Sequence, residues 1–590
     1  MLYKEFWQLF GRGYGKIPTA FGLAGLAVMI SFLEALNVGL LIPLLESLRV
    51  QDGGDVHWIS QVLADGYGAV GVPFRLSTIL LGLGILVIGV ALLKYIRLTL
   101  VARVRLGFTI WLRTQYMWGL LNADLSYFHD QKLGVMADTL TVQCEQAGSS
   151  VSDVFESVVT WALAVAYLTA AFVISPALAA LALGLLVTVS LGMQRKISRA
   201  KSNSEDQVLG YNKYHTTTLE TLTGIHVIKS FVLERLRWAG FRDQSSSLGE
   251  AGYRLAKNQY QLTMIQELAQ FVLIGGMVYL GFTVLHLNIA VIVALLYTLY
   301  RLAPRVALLN ALRQSMAQSM VVVRTVHAAI NATEERAVVN GVREFSGLET
   351  AIDLRNVDFF YRTSGPVLTG TDFSIEKGKM TAIVGASGAG KSTLVDLLLR
   401  YYDPIEGSIA VDGVDLREYT QASWRRSIAV VSQDVFLFND TVATNIKLDR
   451  PDMTDEKMID AAKKAYAHDF IMELPDGYET AIGDRGWNLS GGQRQRISLA
   501  RAIVGDPDIL ILDEATSALD SESESLIQQS MTNIRAKCTM VVVAHRTATV
   551  RQADKIVVLQ KGKIVEEGTW DSLVQQAGVF ATYQHLQSIV

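Results

Sequence analysis

The sequence predicts a multi-domain protein in which an all-α polytopic membrane domain with six transmembrane helices precedes an α/β domain. Its 590 residues exceed what one hydrophobic core usually organises. Half of the residues are hydrophobic, only 18% are charged, and the mean hydropathy is +0.29, which is high for a soluble chain. The long apolar stretches all precede residue 313, whereas short β-branched runs alternate with helical patterns after residue 350. We therefore expect a membrane domain at 1–330, a linker at 331–349 and an α/β domain at 350–590.

Charge and cysteine content argue against several classes of protein. The net charge of −3 and the lack of a long basic run give no reason to expect a nucleic acid as partner. The two cysteines, Cys144 and Cys538, lie far apart and form no CxxC pattern. The sequence therefore predicts neither a disulfide framework nor a zinc site.

Six apolar stretches approach the length that crosses a hydrocarbon core of about 30 Å. They are Ile17–Leu45, Val72–Leu93, Val154–Ile174, Ala177–Met193, Leu268–Leu285 and Leu287–Leu312. The first is too long for the apolar region of a signal peptide, and no small-residue cleavage site follows it. We therefore expect it to be a retained helix.

Basic residues indicate which side of the membrane each connection faces, because Lys and Arg accumulate in loops that stay in the cytoplasm. The loop from Glu46 to Arg75 holds only Arg49 and Arg75, whereas the connections after the second and fourth spans are rich in basic residues. The connection after the second span carries Lys94, Arg97, Arg103, Arg105, Arg113 and Lys132. We expect both termini and the α/β domain to lie in the cytoplasm, with the spans in the plasma membrane, which in a bacterium is the inner membrane.

The strongest motif is a phosphate-binding loop that follows the strand Thr381–Val384 and opens a helix. Its glycines let backbone N–H groups surround the phosphates, Lys391 reaches the β- and γ-phosphates, and the Ser392 hydroxyl binds Mg²⁺. This motif identifies the second half as an α/β P-loop NTPase domain that uses ATP and Mg²⁺. The predicted nucleotide-binding residues of the loop are Gly385, Ala386, Ser387, Gly388, Ala389, Gly390, Lys391, Ser392 and Thr393.

Two carboxylates end the apolar strand Ile509–Leu512. P-loop folds hold Mg²⁺ with an acid at a strand end, which assigns Asp513 to the metal. Glu514 is then placed to orient and polarise the attacking water, since phosphoryl transfer mainly requires positioning and charge stabilisation. The alternative is that Glu514 is only a solvated acid at a strand end.

The pentapeptide Leu489-Ser490-Gly491-Gly492-Gln493 resembles the signature of ABC ATPases. Its setting is similar to that family in the order of the surrounding motifs: an adenine-stacking aromatic, a Q-loop glutamine, a D-loop aspartate and a switch histidine. The matching residues are Tyr361, Gln433, Asp520 and His545. The resemblance implies that Gln433 contributes to the metal site. It also implies catalytic roles for Gln433, Glu514, His545 and Lys391.

In the ABC family, ATP lies between one P-loop and the signature of a partner, so the resemblance implies a dimer. Ser490, Gly491, Gly492 and Gln493 then contact the nucleotide of the other subunit, and the helix N-terminus that they open suits a γ-phosphate. The partner is a second copy of this chain or a homologous half-transporter. A second copy is favoured, because no motif of the one visible site is degenerate.

Three further segments resemble parts of ABC exporters in which six spans precede one ATPase domain. Leu125–Gly134 and Glu220–Phe231 resemble intracellular loops that end in coupling helices, although each is also compatible with an ordinary amphipathic helix. Thr480–Gly486 resembles the segment that contacts those helices, with Asp484 in place of the usual Glu.

Charged residues within spans are costly and are candidates for contact with cargo. At 1.5 Å per residue, Glu34 lies about 26 Å from the inner end of the first span, and Arg301 lies about 21 Å inward from the outer end of the sixth. Glu267 and Arg305 enter at a similar inner depth. Either Glu267 pairs with Arg301 or Arg305, or the arginines snorkel to the interface, or Arg301 receives an anionic head group.

The stretches Phe32–Pro43 and Tyr300–Pro304 resemble the first and sixth spans of flippases for lipid-linked oligosaccharides and polysaccharide lipids. The resemblance implies ATP-driven export or flipping of a lipid, glycolipid or lipid-linked glycan. The alternatives are export of peptides or drug-like molecules, an importer of the same shape, and a ligand-gated channel. The presence of both Glu514 and His545 favours turnover over gating, and the six spans exclude a soluble ABC ATPase.

Overall fold

A computed structural model describes residues 6–15, 17–47, 58–69, 71–285, 287, 289–361, 365–483, 486–513, 521–535, 537–544, 546–576 and 578–587. The chain divides into two compact units. Unit 1 is Met1–Ala123 with Tyr127–Ala337, and unit 2 is Asp124–Ser126 with Val338–Val590. The division near residue 337 lies within the predicted linker, and the predicted domain limits themselves stay predictions.

Long helices dominate the first 335 residues. The helices are α1 (Ile17–Gly39), α2 (Leu41–Ser47), α3 (Trp58–Ala69), α4 (Leu76–Asn122), α5 (Leu125–Asp130), α6 (Leu133–Asp138), α7 (Cys144–Ile174), α8 (Pro176–Thr223), α9 (Ile225–Ser230), α10 (Glu234–Thr283) and α11 (Ile289–Glu335), with π-helical turns at Gln8–Gly13 and Thr139–Gln143. Helix α10 has 50 residues, about 75 Å at 1.5 Å per residue, so it extends far beyond a hydrocarbon core of about 30 Å. The two predicted coupling segments contain the short helices α5 and α9.

Within the described residues, five helical stretches are long and apolar enough to cross a membrane. They are Ile17–Glu46, Leu76–Asn122, Leu133–Ile174, Glu234–Thr283 and Val291–Glu335, and each overlaps one of the predicted spans. The remaining predicted span, Ala177–Met193, falls in helix α8, where several side chains lie outside the described set. That span stays a prediction.

The ends of three predicted elements differ from the structure. The first span is broken between Gly39 and Leu41, where Pro43 cannot donate a backbone hydrogen bond to Gly39. The second begins at Leu76, after an extended segment that contains Pro73. Helix α11 continues to Glu335, so the first five residues of the predicted linker are helical. Apolar composition gives only approximate ends for a helix that continues into polar sequence.

Helix α7 forms the centre of unit 1. Its buried side chains recur at every fourth residue from Ala147 through Phe155 to Ala171, which is the period of one helix face. Gly148 permits close approach of α4, because a Cβ there would lie 1.8 Å from Thr109 Oγ1. The α7 face therefore requires small residues as well as apolar ones.

Unit 2 contains two sheets and ten helices among its described residues. The strands are β1 (Ala351–Phe360), β2 (Pro366–Glu376), β3 (Met380–Val384), β4 (Glu406–Val411), β5 (Val414–Asp415), β6 (Ile428–Val431), β7 (Ile509–Asp513), β8 (Thr539–Val543), β9 (Lys555–Gln560) and β10 (Lys563–Gly568). The helices are α12 (Lys391–Leu398), α13 (Gln421–Ser427), α14 (Val442–Lys447), α15 (Asp455–Lys464), α16 (His468–Met472), α17 (Gly491–Ile503), α18 (Ser521–Arg535), α19 (Thr547–Arg551), α20 (Trp570–Gln576) and α21 (Val579–Gln587), with 3₁₀ turns at Leu416–Glu418 and Gly477–Glu479.

The larger sheet determines where the site lies. Its order is β10-β9-β3-β8-β7-β6, and the strands from β9 to β6 run parallel. All five residues of β3 are buried, as expected for a strand covered on both faces. Because parallel strands end at one edge, the segments that follow β3, β8, β7 and β6 meet at that edge.

Candidate nucleotide-binding site and membrane charges

The loop between β3 and α12 has a backbone that requires glycine at three positions. Gly388 and Gly390 have φ of +77° and +109°, in the left-handed region. A Cβ on Gly385 would lie 2.2 Å from the Leu559 carbonyl oxygen, and one on Gly390 would lie 2.9 Å from Leu368 Cδ2. The tip of the loop, 386–388, is exposed and Ala389 is buried, so the loop presents its backbone to solvent.

Lys391 begins helix α12 and folds back over this loop. Its ammonium donates to the carbonyl oxygens of Gly385 at 3.0 Å and Ala386 at 3.1 Å, although the residue is only 6% exposed. Ser392 beside it is exposed, whereas Thr393 is buried. A nearly buried ammonium over a loop of backbone N–H groups is suited to bind a phosphate chain.

The predicted metal-side residues follow neighbouring strands of the sheet. Asp513 is the last residue of β7 and pairs with Val543 of β8, which in turn pairs with Ile383 of β3. Asp513 therefore lies in register with the end of β3, where the P-loop begins. Gln433 lies two residues after β6 and is exposed. Hydroxyl, amide and carboxylate oxygens are the donors that Mg²⁺ prefers, so Ser392, Gln433 and Asp513 fit the ion by donor chemistry.

Tyr361 lies directly after β1 and contacts the P-loop helix. Its hydroxyl is hydrogen-bonded to the Thr393 hydroxyl at 3.0 Å, and its ring makes edge contacts with Phe359 and Tyr402. Burial raises the pKa of Tyr361. The aromatic side chain predicted to stack on adenine is thus connected to the phosphate-binding element by one hydrogen bond.

The signature residues form the N-terminus of helix α17. Ser490 caps the helix by accepting a hydrogen bond from Gln493 N at 3.2 Å, and Gln493 Oε1 accepts one from Ser490 N at 2.9 Å. Ser490 and Gly491 are exposed, and Gly492 is buried. The helix N-terminus therefore faces solvent with its cap in place, as required of a surface that meets an anion.

Four predicted site residues lie outside the described residues: Glu514, Asp520, His545 and Asp484. Glu514 follows directly after Asp513, and His545 lies two residues after the last residue of β8. Their strands end at the P-loop edge of the sheet, and their roles stay predictions.

The charged residues of the predicted spans have different partners in the structure from those expected from the sequence. Glu34 of α1 is buried, forms an ion pair with Lys94 of α4, and accepts a hydrogen bond of 2.7 Å from the Tyr167 hydroxyl of α7. Arg301 donates to the Tyr297 hydroxyl at 2.8 Å and 3.0 Å. Both Arg301 and Arg305 lie close enough to Lys94 for their charges to interact. Glu267 forms no ion pair with either arginine in the described part of the chain.

One sequence inference is corrected here. Counting from the ends of apolar stretches separates Glu34 from Arg301 in depth, but Glu34 pairs with Lys94, whose charge also interacts with that of Arg301. Lys94 belongs to the connection predicted after the second span, and helix α4 continues through that connection to Asn122. The depth estimate fails because apolar composition does not show which helices carry the partners of a charge. Tyr167 carries no motif by which the sequence could have identified it.

The membrane helices, the P-loop domain and the capped signature helix together define a membrane transporter driven by ATP hydrolysis. Residues 25–301 match the family described as ABC transporter transmembrane region, and residues 368–517 match the family described as ABC transporter. The chain is 32% identical over 577 residues, 96% of this chain and 94% of the relative, to the heterocyst differentiation ATP-binding protein HepA of Nostoc sp.. The chain belongs to the ABC transporter family and is a half-transporter of the exporter type.

Two further similarities support the exporter class. The chain is 40% identical over 412 residues, 69% of each chain, to a putative multidrug export ATP-binding/permease protein of Staphylococcus aureus. A solved structure of a bacterial Atm1-family ABC exporter with ATP bound is similar to it with a TM-score of 0.80 and 25% identity, over 98% of this chain and 99% of that one. The protein is therefore an ATPase coupled to export across a membrane. Half-transporters of this type are typically dimeric.

Proposed function

We propose that this half-transporter acts as a homodimer that exports or flips an amphipathic substrate with an anionic head group, of the lipid, glycolipid or lipid-linked glycan class. One observation carries the proposal: Arg301 and Arg305 have no carboxylate partner among the described residues, although both lie in a predicted span. Unpaired cations within a membrane domain are costly, and their usual role is to face a cavity or a substrate. An anionic head group would supply the missing charge.

At the ATPase site, we propose the roles assigned from the sequence. Lys391 and the backbone of 385–393 bind the phosphates, Tyr361 supports adenine, and Ser392, Gln433 and Asp513 hold Mg²⁺. The ion when bound neutralises charge on the phosphates. Glu514 orients the water, and His545 and Asp520 complete the site.

The partner in this proposal is a second copy of the chain. The cap of Ser490 holds the N-terminus of α17 exposed, so that this signature is available to a nucleotide bound on another copy. We further propose that both termini and the ATPase domain lie in the cytoplasm, with the spans in the plasma membrane.

A cavity in unit 1 favours a second candidate, export of uncharged drug-like molecules. The cavity measures about 500 Å³ and is lined by apolar residues of α1, α3, α4 and α7, including Phe32, Trp58 and Val173. That volume is within the range of about 300–1,000 Å³ that holds small ligands. The name of the Staphylococcus aureus relative is consistent with such a cargo.

Two substitutions test the proposal. Glu514→Gln should reduce the steady-state ATPase rate of the purified dimer to near background, because the attacking water loses its carboxylate. An unchanged rate would contradict the assigned role of Glu514. Lipids and glycans that copurify with the Glu514→Gln protein, identified by mass spectrometry, would show the cargo class.

Arg301→Ala tests the anion site in liposomes that contain a fluorescent anionic lipid. We expect loss of its transport and of lipid-stimulated ATPase activity, whereas Arg103→Ala, an exposed arginine of α4, serves as the matched control. If Arg301→Ala left both activities unchanged, the second candidate, an uncharged cargo, would replace the first.

A further inference from the structure

The carboxylate of Glu34 lies between two partners on two other helices. Lys94 of α4 pairs with its Oε1 oxygen, and the Tyr167 hydroxyl of α7 donates to its Oε2 oxygen. The Glu34 side chain is 5% exposed, whereas that of Lys94 is 37% exposed. One end of this ion pair is therefore fixed in the protein interior, and the other remains open to an arriving molecule.

Further cations surround Lys94. The charges of Arg97, Arg301 and Arg305 all interact with that of Lys94, and so does the carboxylate of Glu156. Glu156 is already paired with Arg97 at 3.0 Å. The four cations and two carboxylates leave an excess of two positive charges at Arg301 and Arg305.

This excess raises the free energy of the charge cluster, defined as Lys94, Arg97, Arg301, Arg305, Glu34 and Glu156. Like charges repel more strongly where water is scarce, and buried charges usually have partners. Arg301 is partly stabilised by the Tyr297 hydroxyl and by the Tyr297 ring, whose centre lies 5.3 Å from the guanidinium carbon. Neither contact supplies a negative charge, so the cluster is suited to a dianion.

We propose that Lys94 is a third cation of the cargo site, and that Glu34 is an internal anion which holds Lys94 until the anionic group of the cargo takes its place. This inference rests on the proposed function, and it narrows the cargo to molecules that carry a phosphate monoester or a pyrophosphate. Such a group offers several oxygens to Lys94, Arg301 and Arg305 together, which matches the excess of two charges.

The exchange leaves no carboxylate without a partner. When the cargo binds Lys94, Glu34 keeps the hydrogen bond from Tyr167, so part of the stabilisation of its charge persists. The ion pair between α1 and α4 is lost at the same time. Cargo binding therefore weakens one direct link between these helices, which is how a substrate can signal its presence to the transport cycle.

The test measures binding of fluorescently labelled phosphatidic acid to the full-length dimer in detergent. Phosphatidylcholine with the same label is the control, because it is zwitterionic and has no net charge. Lys94→Gln should weaken phosphatidic acid binding by about 10- to 100-fold, the factor associated with a hydrogen bond to a charged group. Glu34→Gln should strengthen it by about tenfold, because Lys94 is no longer held by an internal competitor. In the Lys94→Gln background, Glu34→Gln should have much less effect.

A purely structural ion pair gives a different pattern. Both single variants would then weaken binding alike, and the double variant would restore it. That pattern would overturn the proposal, and so would Lys94→Gln binding within twofold of the wild type. If Lys94→Gln does not fold, Glu34→Gln alone decides, since unchanged or weaker binding contradicts the exchange.

Two additional measurements separate this inference from the proposed function. Competition by inorganic pyrophosphate shows whether the head group alone is recognised or whether the lipid chains are required. If Arg301→Ala abolishes binding while Lys94→Gln does not change it, the exchange fails and the anion site stands. If neither variant changes binding, the anionic cargo itself is wrong.

Discussion

Arg501 of the signature helix α17 fixes the segment that follows Gln433. Its guanidinium donates to the Phe436 carbonyl at 2.8 Å, to the Asn445 carbonyl at 2.7 Å and to Asn445 Oδ1 at 2.9 Å. Asn445 in turn donates to the carbonyl of Phe438 at 2.9 Å and accepts from Phe438 N at 2.8 Å. Burial lowers the pKa of Arg501 to about 10, which leaves it charged at neutral pH. Arg501 and Asn445 therefore join the signature helix to the segment after Gln433.

Arg501→Lys perturbs this connection while keeping the charge. An ammonium cannot reproduce three hydrogen bonds in the plane of a guanidinium, so at least one carbonyl loses its donor. Since a hydrogen bond to a charged group contributes about 1.5–3 kcal/mol, we expect a loss of about 2–4 kcal/mol in local stability. That corresponds to an opening equilibrium about 30- to 1,000-fold larger.

The two buried cysteines provide the assay, since Cys144 lies in unit 1 and Cys538 in unit 2. Cys538 belongs to the same hydrophobic cluster as Ile497 and Ile503 of α17. In a Cys144→Ala background, the rate of thiol labelling at Cys538 reports opening of this cluster. Arg551→Lys, at an exposed arginine of unit 2, is the matched control.

We expect the labelling rate of the Arg501→Lys protein to rise by the factor given above, and that of the control to change by less than about twofold. ATPase activity stimulated by substrate should fall more than basal activity, because the segment after Gln433 no longer follows the signature helix. An unchanged labelling rate at Cys538 would refute the reasoning, since the three hydrogen bonds would then contribute nothing to the stability of the cluster.

Two further predictions concern unit 2. Gly390→Ala should weaken binding of a fluorescent ATP analogue about tenfold or more, because it adds left-handed backbone strain of about 1–3 kcal/mol and a clash with Leu368. The control is Gly388→Ala, whose Cβ would meet no atom within 4 Å and which should weaken binding less. Equal losses of affinity in the two variants would contradict the steric argument. Burial raises the pKa of Cys538 from its ordinary 9.0 to about 11, so its contribution to stability is full below pH 9 and is lost as the pH rises through 11. Thermal unfolding of the wild type and of Cys538→Ala, measured from pH 8 to 11, should show this loss of about 2–3 kcal/mol in stability only in the wild type. Parallel curves of stability against pH for the two proteins would contradict the prediction.

The strand, loop and helix that surround the predicted nucleotide site could be predicted from the sequence, because their determinants are local. The short β-type run Met380–Val384, followed by glycines and Lys391, describes a strand, a loop and a helix start in consecutive positions. Asp513 ends a strand of the same kind. Because parallel strands end at one edge, chain order alone brings these segments together.

Other contacts of unit 2 could not be predicted in this way. The bonds between Arg501 and Asn445 join residues 56 positions apart and depend on how α17 packs beside α14. Arg501 lies on a helix rich in basic residues, and nothing in its spacing distinguishes it from Arg494 or Arg496. Their separate roles appear only when side-chain directions are known.

The membrane charges show the same limit more sharply. A helix can be read from apolar composition, but the rotation that brings Lys94 towards Glu34 is set by packing of α1, α4 and α7. An error of a few residues at each span end also moves the estimated depth of a charge by about 5–10 Å at 1.5 Å per residue. Pairing is thus decided by quantities that a hydropathy pattern does not contain. For this reason the partner of a charge in a span is best identified by a double-mutant cycle in which each charge is removed singly and then both together. Two residues that form an ion pair show a coupling free energy, whereas two charges that only lie at the same depth do not.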